Sequence, residues 1–207
     1  YISALEKEYP SVYLRTELFL RDSSRGGRHA AQLMYAIGVK EGKLASRCYT
    51  TNWDTLTEDA FYWLRGTNCV TIKGPDQLRE VKDFDHRYVV KLHGDYDRYD
   101  VRYLREGMAR HHDDLREFMI SSLSNVGLVV LGYSGMEYSV MNMLMEIVHD
   151  NPEVLSGGLY WGYQGNLKMI PEAITDLVAV GMDKGKEFRI FEMEECDFLF
   201  EKISQEL

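Results

Sequence analysis

The chain has only three cysteines, Cys48, Cys69 and Cys196, far apart, odd in number and without a C-x-x-C pair. That pattern excludes a zinc ribbon and offers no disulfide framework, so reduced thiols and a cytoplasmic location are expected. The six histidines (29, 86, 93, 111, 112 and 149) contain no H-E-x-x-H or related ligand spacing, and no zinc or other metal is expected. Positive charge is in deficit: 24 Lys and Arg against 33 Asp and Glu leave a net charge of −9. This argues against direct nucleic-acid binding through bulk charge. No apolar run is long enough to span a bilayer, and the start carries no secretory pattern, so no membrane partner is expected. Repeats and low-complexity stretches are also missing. The chain begins at Tyr1 rather than Met, which reads as a piece of something longer.

What is present is an ordinary globular composition: 207 residues, 45% apolar and 28% charged, enough for one domain with a substantial core. Two regions are expected. Residues 1–43 read as a helical segment, with Ala30, Leu33, Met34 and Ile37 at helical spacing and Gly42 as a stop. Arg21 to Arg28 reads as a loop between helices. From residue 44 to 207 short strands alternate with helices. The strands expected are Ser46–Thr51, Cys69–Lys73, Tyr88–Leu92, Leu128–Leu131, Leu159–Gly162 and Phe188–Glu192. The helices expected are Thr55–Leu64, Asp113–Leu123, Tyr138–Val148, Glu172–Val180 and Phe198–Ser204. Strands separated by helices pair in parallel through crossovers, hence an α/β, Rossmann-like doubly wound sheet. The run Leu128-Val129-Val130-Leu131, apolar on both faces, reads as a central strand. Thr55-Leu56-Thr57-Glu58 has capping-box spacing, Pro171 suits a first helical turn, and Asp197 suits an N-cap.

Three strand exits carry small or reactive polar residues, at the edge where open α/β sheets bind ligands. The first is Thr50-Thr51-Asn52-Trp53-Asp54. A carboxamide such as Asn52 holds a ribose hydroxyl or a water by donating and accepting together, while Asn52 and Asp54 equally suit a turn and a helix cap. The second is His93-Gly94-Asp95. Imidazole accepts a proton near neutrality, and Gly94 permits a tight turn or close ligand approach. A histidine at a strand end also serves as a plain hydrogen-bonded residue. The third is Gly132-Tyr133-Ser134-Gly135, where backbone N–H groups and the Ser134 hydroxyl suit a phosphate or ribose, or simply a turn. Trp161-Gly162 ends the next strand; a tryptophan there covers an adenine face or fills the core. The charged, tyrosine-bearing stretch 95–103 reads either as a solvated loop or as a lid that orders on assembly.

Taken in order, Thr-Asn-Trp-Asp, Lys-Leu-His-Gly-Asp, Leu-Gly-Tyr-Ser and Leu-Tyr-Trp-Gly resemble the sirtuin-like domains of bacterial antiphage proteins. The resemblance implies a site that cleaves NAD+ at its nicotinamide ribose. Asn52 would hold that ribose and the attacking water, and His93 would be the general base. Trp53 and Asp54 would lie beside the nicotinamide carboxamide, Gly132 and Ser134 would contact the phosphates or ribose, Trp161 and Gly162 would lie near the adenosine half, and Thr51 and Gly94 are expected among the cofactor-binding residues. The four-cysteine zinc module of sirtuin deacetylases is missing, which moves the expectation from deacylation to NAD+ hydrolysis. The family's opening strand and Gly-Ala-Gly-x-Ser loop are missing too, so the domain reads as one without its first β-loop-α unit. A regulated defence effector working with a regulatory protein partner or as a homo-oligomer is the implied role. A non-catalytic nucleotide-sensing or assembly module is the alternative.

Overall fold

Alternating strand and helix patterns need a sheet whose faces the helices cover, and this is what the chain builds. The structure, a computed structural model, describes residues 30–52, 54–64, 69–74, 77–78, 81, 86–92 and 105–206, with backbone only for 105–112, 204 and 206. The expected helical stretch before residue 30, the 21–28 loop, Trp53, His93, Gly94 and the 95–103 stretch lie outside the described residues. The element order is α1 (Ala30–Lys40), β1 (Arg47–Thr50), α2 (Leu56–Trp63), β2 (Val70–Ile72), β3 (Tyr88–Lys91) and α3 (Arg105–Leu123), then β4 (Leu128–Val130), α4 (Tyr138–Asp150), β5 (Leu159–Gln164), α5 (Glu172–Asp183), β6 (Phe188–Met193) and α6 (Cys196–Glu206). Among the described residues the strands form two three-stranded sheets, ordered β1-β3-β2 and β4-β5-β6, and every ladder is parallel. The fold is α/β and Rossmann-like, with parallel sheets flanked by helices and a helical segment ahead of them.

The chain divides into two compact units, one comprising Tyr1–Leu115 with Ile203–Leu207, the other Arg116–Lys202. In the first, β3 is the middle strand and all four of its residues are buried. Val89 packs with Ala36 and Val39 of α1 and Ala60 and Phe61 of α2, with Cys48, Leu64 and Cys69 around them. Gly42 does end α1, adopting a left-handed φ of 69°. In the second unit, α4 buries Val140, Met141, Met143, Leu144, Ile147 and Val148, the i, i+3, i+4, i+7 stripe of a core-facing helix. Each such aliphatic side chain, fully buried, contributes roughly 1.5–3 kcal/mol of transfer free energy.

Three local expectations change. Among the described residues the run at 128–131 is not the centre of its sheet: β4 has one ladder partner there, Val129 is 58% exposed, and β5 lies between β4 and β6. An apolar run reports which residues tolerate burial, not how many neighbours the strand has. The capping box does not close at Thr55, whose hydroxyl donates to the Asp59 carboxylate while Glu58 turns inward to Lys91. Asp197 sits inside the first turn of α6, which starts at Cys196; a carboxylate there still favours the positive end of the helix dipole.

Candidate functional site

Parallel strands deliver their following loops to one edge of the sheet, so the residues after β1 and β3 emerge together. Thr50, the last residue of β1, is in register with Lys91, the last of β3. Beyond Thr50 the chain turns at once. The Asn52 amide donates to the Thr50 hydroxyl at 3.0 Å, and the Leu56 amide donates to the Asp54 carboxylate at 3.0 Å. Asp54 therefore caps the start of α2 from one residue further out than expected, satisfying one of the amides a helix leaves free at its N-terminus. Thr51 is half-buried and Asn52 is exposed. The Asn52 carboxamide has no hydrogen-bond partner among the described residues.

Lysine 91 carries the loop. It shares a face with Val89 two residues earlier, the face that α1 and α2 cover, and it is 2% exposed. Its ammonium donates to the Asp54 carbonyl, lies 3.5 Å from the Asn52 carbonyl and pairs with the Glu58 carboxylate at 3.0 Å. Two of the three ammonium N–H groups serve the loop carbonyls, and Glu58 supplies the counter-charge. Taking such an ion pair out of water is costly, and only additional hydrogen bonds of this kind offset that cost. Neither residue is a site candidate from the sequence alone, where Glu58 reads only as part of a capping box. The available signal was a lysine inside Tyr-Val-Val-Lys-Leu, a strand otherwise wholly apolar, where a buried charge needs a counter-ion.

The Cys48 thiol, on β1 two residues before Thr50, is poorly suited to nucleophilic attack. Burial pushes Cys48 up to about 12, the Glu58 carboxylate adds to the rise, and the Lys91 ammonium opposes it. Too little thiolate remains near neutrality for attack on a ribose carbon. A cavity of about 680 Å³ opens at the other end of this sheet, where Leu44, Ser46, Val70, His86 and Arg87 lead into the strands. Because ligands of parallel sheets sit at the carboxyl ends of the strands, the site belongs with Asn52 and not with that cavity.

In the second unit the loop from Leu131 to Glu137 joins β4 to α4. Its shape is set by two glycines, Gly132 at φ 68° and Gly135 at φ 69°, a region costly to side-chain-bearing residues. Gly135 also lies tight against its support: a Cβ there would meet Ile174 Cγ1 at 2.5 Å and Trp161 Cζ2 at 3.3 Å. Ser134 is exposed, its oxygen 3.4 Å from the Met136 amide. Burial raises the Tyr133 hydroxyl to about 12, with the Glu137 carboxylate contributing. The Tyr133 ring packs on Trp161 at 5.8 Å between centroids.

Of the residues expected at the adenosine half, Trp161 is fully buried, so its ring supports the 132–135 loop from beneath and presents no open face. Gly162 is explained by packing, since a Cβ would lie 2.5 Å from Met193 Sδ and 3.1 Å from Leu131 Cδ2. Gly132 and Ser134 remain on the surface of their loop. Among the described residues no group of three or more His, Cys, Asp or Glu is placed to hold a metal ion, and no helix is long and apolar enough to cross a membrane.

Comparison with known families gives one match: the family described as SIR2-like domain aligns with residues 46–173, more than half of the chain. No curated protein matches the chain. The matched span starts just before β1 and runs into the first turn of α5, so it takes in both loops described above.

Proposed function

From the premise that the chain belongs to the SIR2-like domain family, we propose that it is an NAD+ hydrolase and works as a regulated effector in antiphage defence. Family membership ties it to NAD-related chemistry in general. The observation that carries the finer reading is the Asn52 carboxamide, unpartnered among the described residues and presented at the ligand edge by a loop whose backbone is fixed. Water attacks the anomeric carbon of the nicotinamide ribose, the N-glycosidic bond breaks, and nicotinamide leaves as a neutral base. ADP-ribose and one proton are the other products. Asn52 orients the water and a ribose hydroxyl, and His93, two residues beyond Lys91, accepts the proton. Thr51, Trp53, Asp54 and Gly94 surround the nicotinamide end, Gly132 and Ser134 take the phosphates or ribose, and Trp161 and Gly162 support the adenosine half. Unchecked NAD+ hydrolysis would exhaust a cell, which is why control by a protein partner or by self-assembly in the cytoplasm forms part of the proposal.

The test is nicotinamide release by the full-length protein, comparing wild type with Asn52→Ala and His93→Ala. Loss of the base is expected to lower the rate by about a hundredfold or more. Equal turnover in all three proteins would end the proposal. Calorimetry with ADP-ribose covers the alternative: tight binding without any nicotinamide release marks a nucleotide sensor and not a hydrolase.

A further inference from the structure

We propose that Lys91 and Glu58 form a positioning pair that sets the Asn52–Asp54 loop for nucleotide cleavage. The inference deepens the NAD+ hydrolase reading and rests on it. Three observations carry it. Lys91 ends the strand that leads into His93, and in register it stands beside Thr50, which leads into Asn52. Its ammonium binds the carbonyls of Asn52 and Asp54, the two ends of the short loop, and not their side chains. Its remaining interaction is with Glu58 in the first turns of α2, itself anchored in the core through Ala60 and Phe61. The ammonium, 2% exposed, thus ties loop, strand and helix at one point. Lys91 acts through Asn52, holding its carboxamide outward by fixing the backbone behind it. The two carbonyl bonds that offset the burial of the pair also fix the backbone on either side of the loop, which gives the pair a positional task beside its structural one.

The experiment uses the full-length protein and the double variant Lys91→Met/Glu58→Gln, which removes both charges and so leaves no lone ion in the core. Lys186→Met serves as the control, because that lysine also binds two loop carbonyls but in the other unit. Two readouts are taken: kcat and KM for NAD+ by nicotinamide release, and hydrogen exchange at the Asn52 and Leu56 amides. In the double variant kcat is expected to fall about ten- to a hundredfold, as for a misplaced reacting group, with KM changed far less and both amides exchanging faster. Lys186→Met is expected to leave kcat and those amides unchanged. A double variant with wild-type kcat overturns the proposal, and so does a lowered kcat with unchanged exchange at both amides. If wild type releases no nicotinamide, the hydrolase reading fails by itself; the exchange comparison then still decides whether the pair holds the loop.

Discussion

Two lysines do similar mechanical work at different places in this chain. Lys91 reaches the carbonyls of Asn52 and Asp54 after β1, and Lys186 reaches those of Asn151 and Val154 ahead of β5. Their surroundings differ. Lys91 is buried against Glu58, whereas Lys186 is half-buried, just ahead of β6, and burial, helped by the Lys184 charge, lowers its pKa against the pull of Glu153. A lysine at the rim of a sheet can shed part of its desolvation cost to water. One inside the sheet needs a carboxylate. The ammonium at the ligand edge is therefore the better insulated of the two.

The largest way to break this comparison is Lys91→Met alone. It leaves Glu58 charged and enclosed, and is expected to lower unfolding stability by about 3–5 kcal/mol. Urea unfolding against the Lys91→Met/Glu58→Gln double variant checks the cause: the double variant should recover a good part of the loss. Lys186→Met comes next. Its two carbonyls, on half-buried Asn151 and fully buried Val154, lose a charged donor, but no carboxylate is left enclosed as Glu58 would be, so about 1–3 kcal/mol is expected from the same measurement. A loss as large as that of Lys91→Met would erase the distinction between the two sites. Smallest is Asp54→Ala, which removes a helix-capping acceptor while leaving the Asp54 carbonyl on Lys91; roughly 1 kcal/mol is expected in thermal unfolding. A much larger loss would mean that the cap, and not the ammonium, holds the loop.

These effects track what was legible in the sequence. Element positions followed from hydrophobic period and punctuation: Gly42 ends α1, and Glu172 opens α5 directly behind Pro171, as read. The loops after β1 and β4 were equally readable, because Asn, Asp, Gly and Ser clustered behind apolar runs. The Lys91–Glu58 pair was not, since nothing local joins residues 33 positions apart, and Glu58 was instead assigned to a cap by its spacing from Thr55. The tryptophan at 161 left both a ligand-facing and a core role open. Which applied depended on Tyr133 and Gly135 folding over it, a tertiary fact with no local signature. The centre of the second sheet was misplaced for a related reason: Leu159 to Gln164 mixes apolar with polar residues and a glycine, yet it is the strand with partners on both sides.

The bond from Lys91 to the Asp54 carbonyl spans 37 residues of sequence. Loop-closure entropy has to be met before a contact of that separation can form, and β3 must already lie beside β1. The Asn52 turn therefore cannot assemble as an autonomous peptide; it becomes competent only late in folding, when the first sheet has closed. Because β3 is the buried middle strand of its sheet, the turn is released only when that sheet itself opens, an event at the costly end of the scale of local unfolding. A site wired in this way keeps its shape for as long as the strand beneath it stays paired.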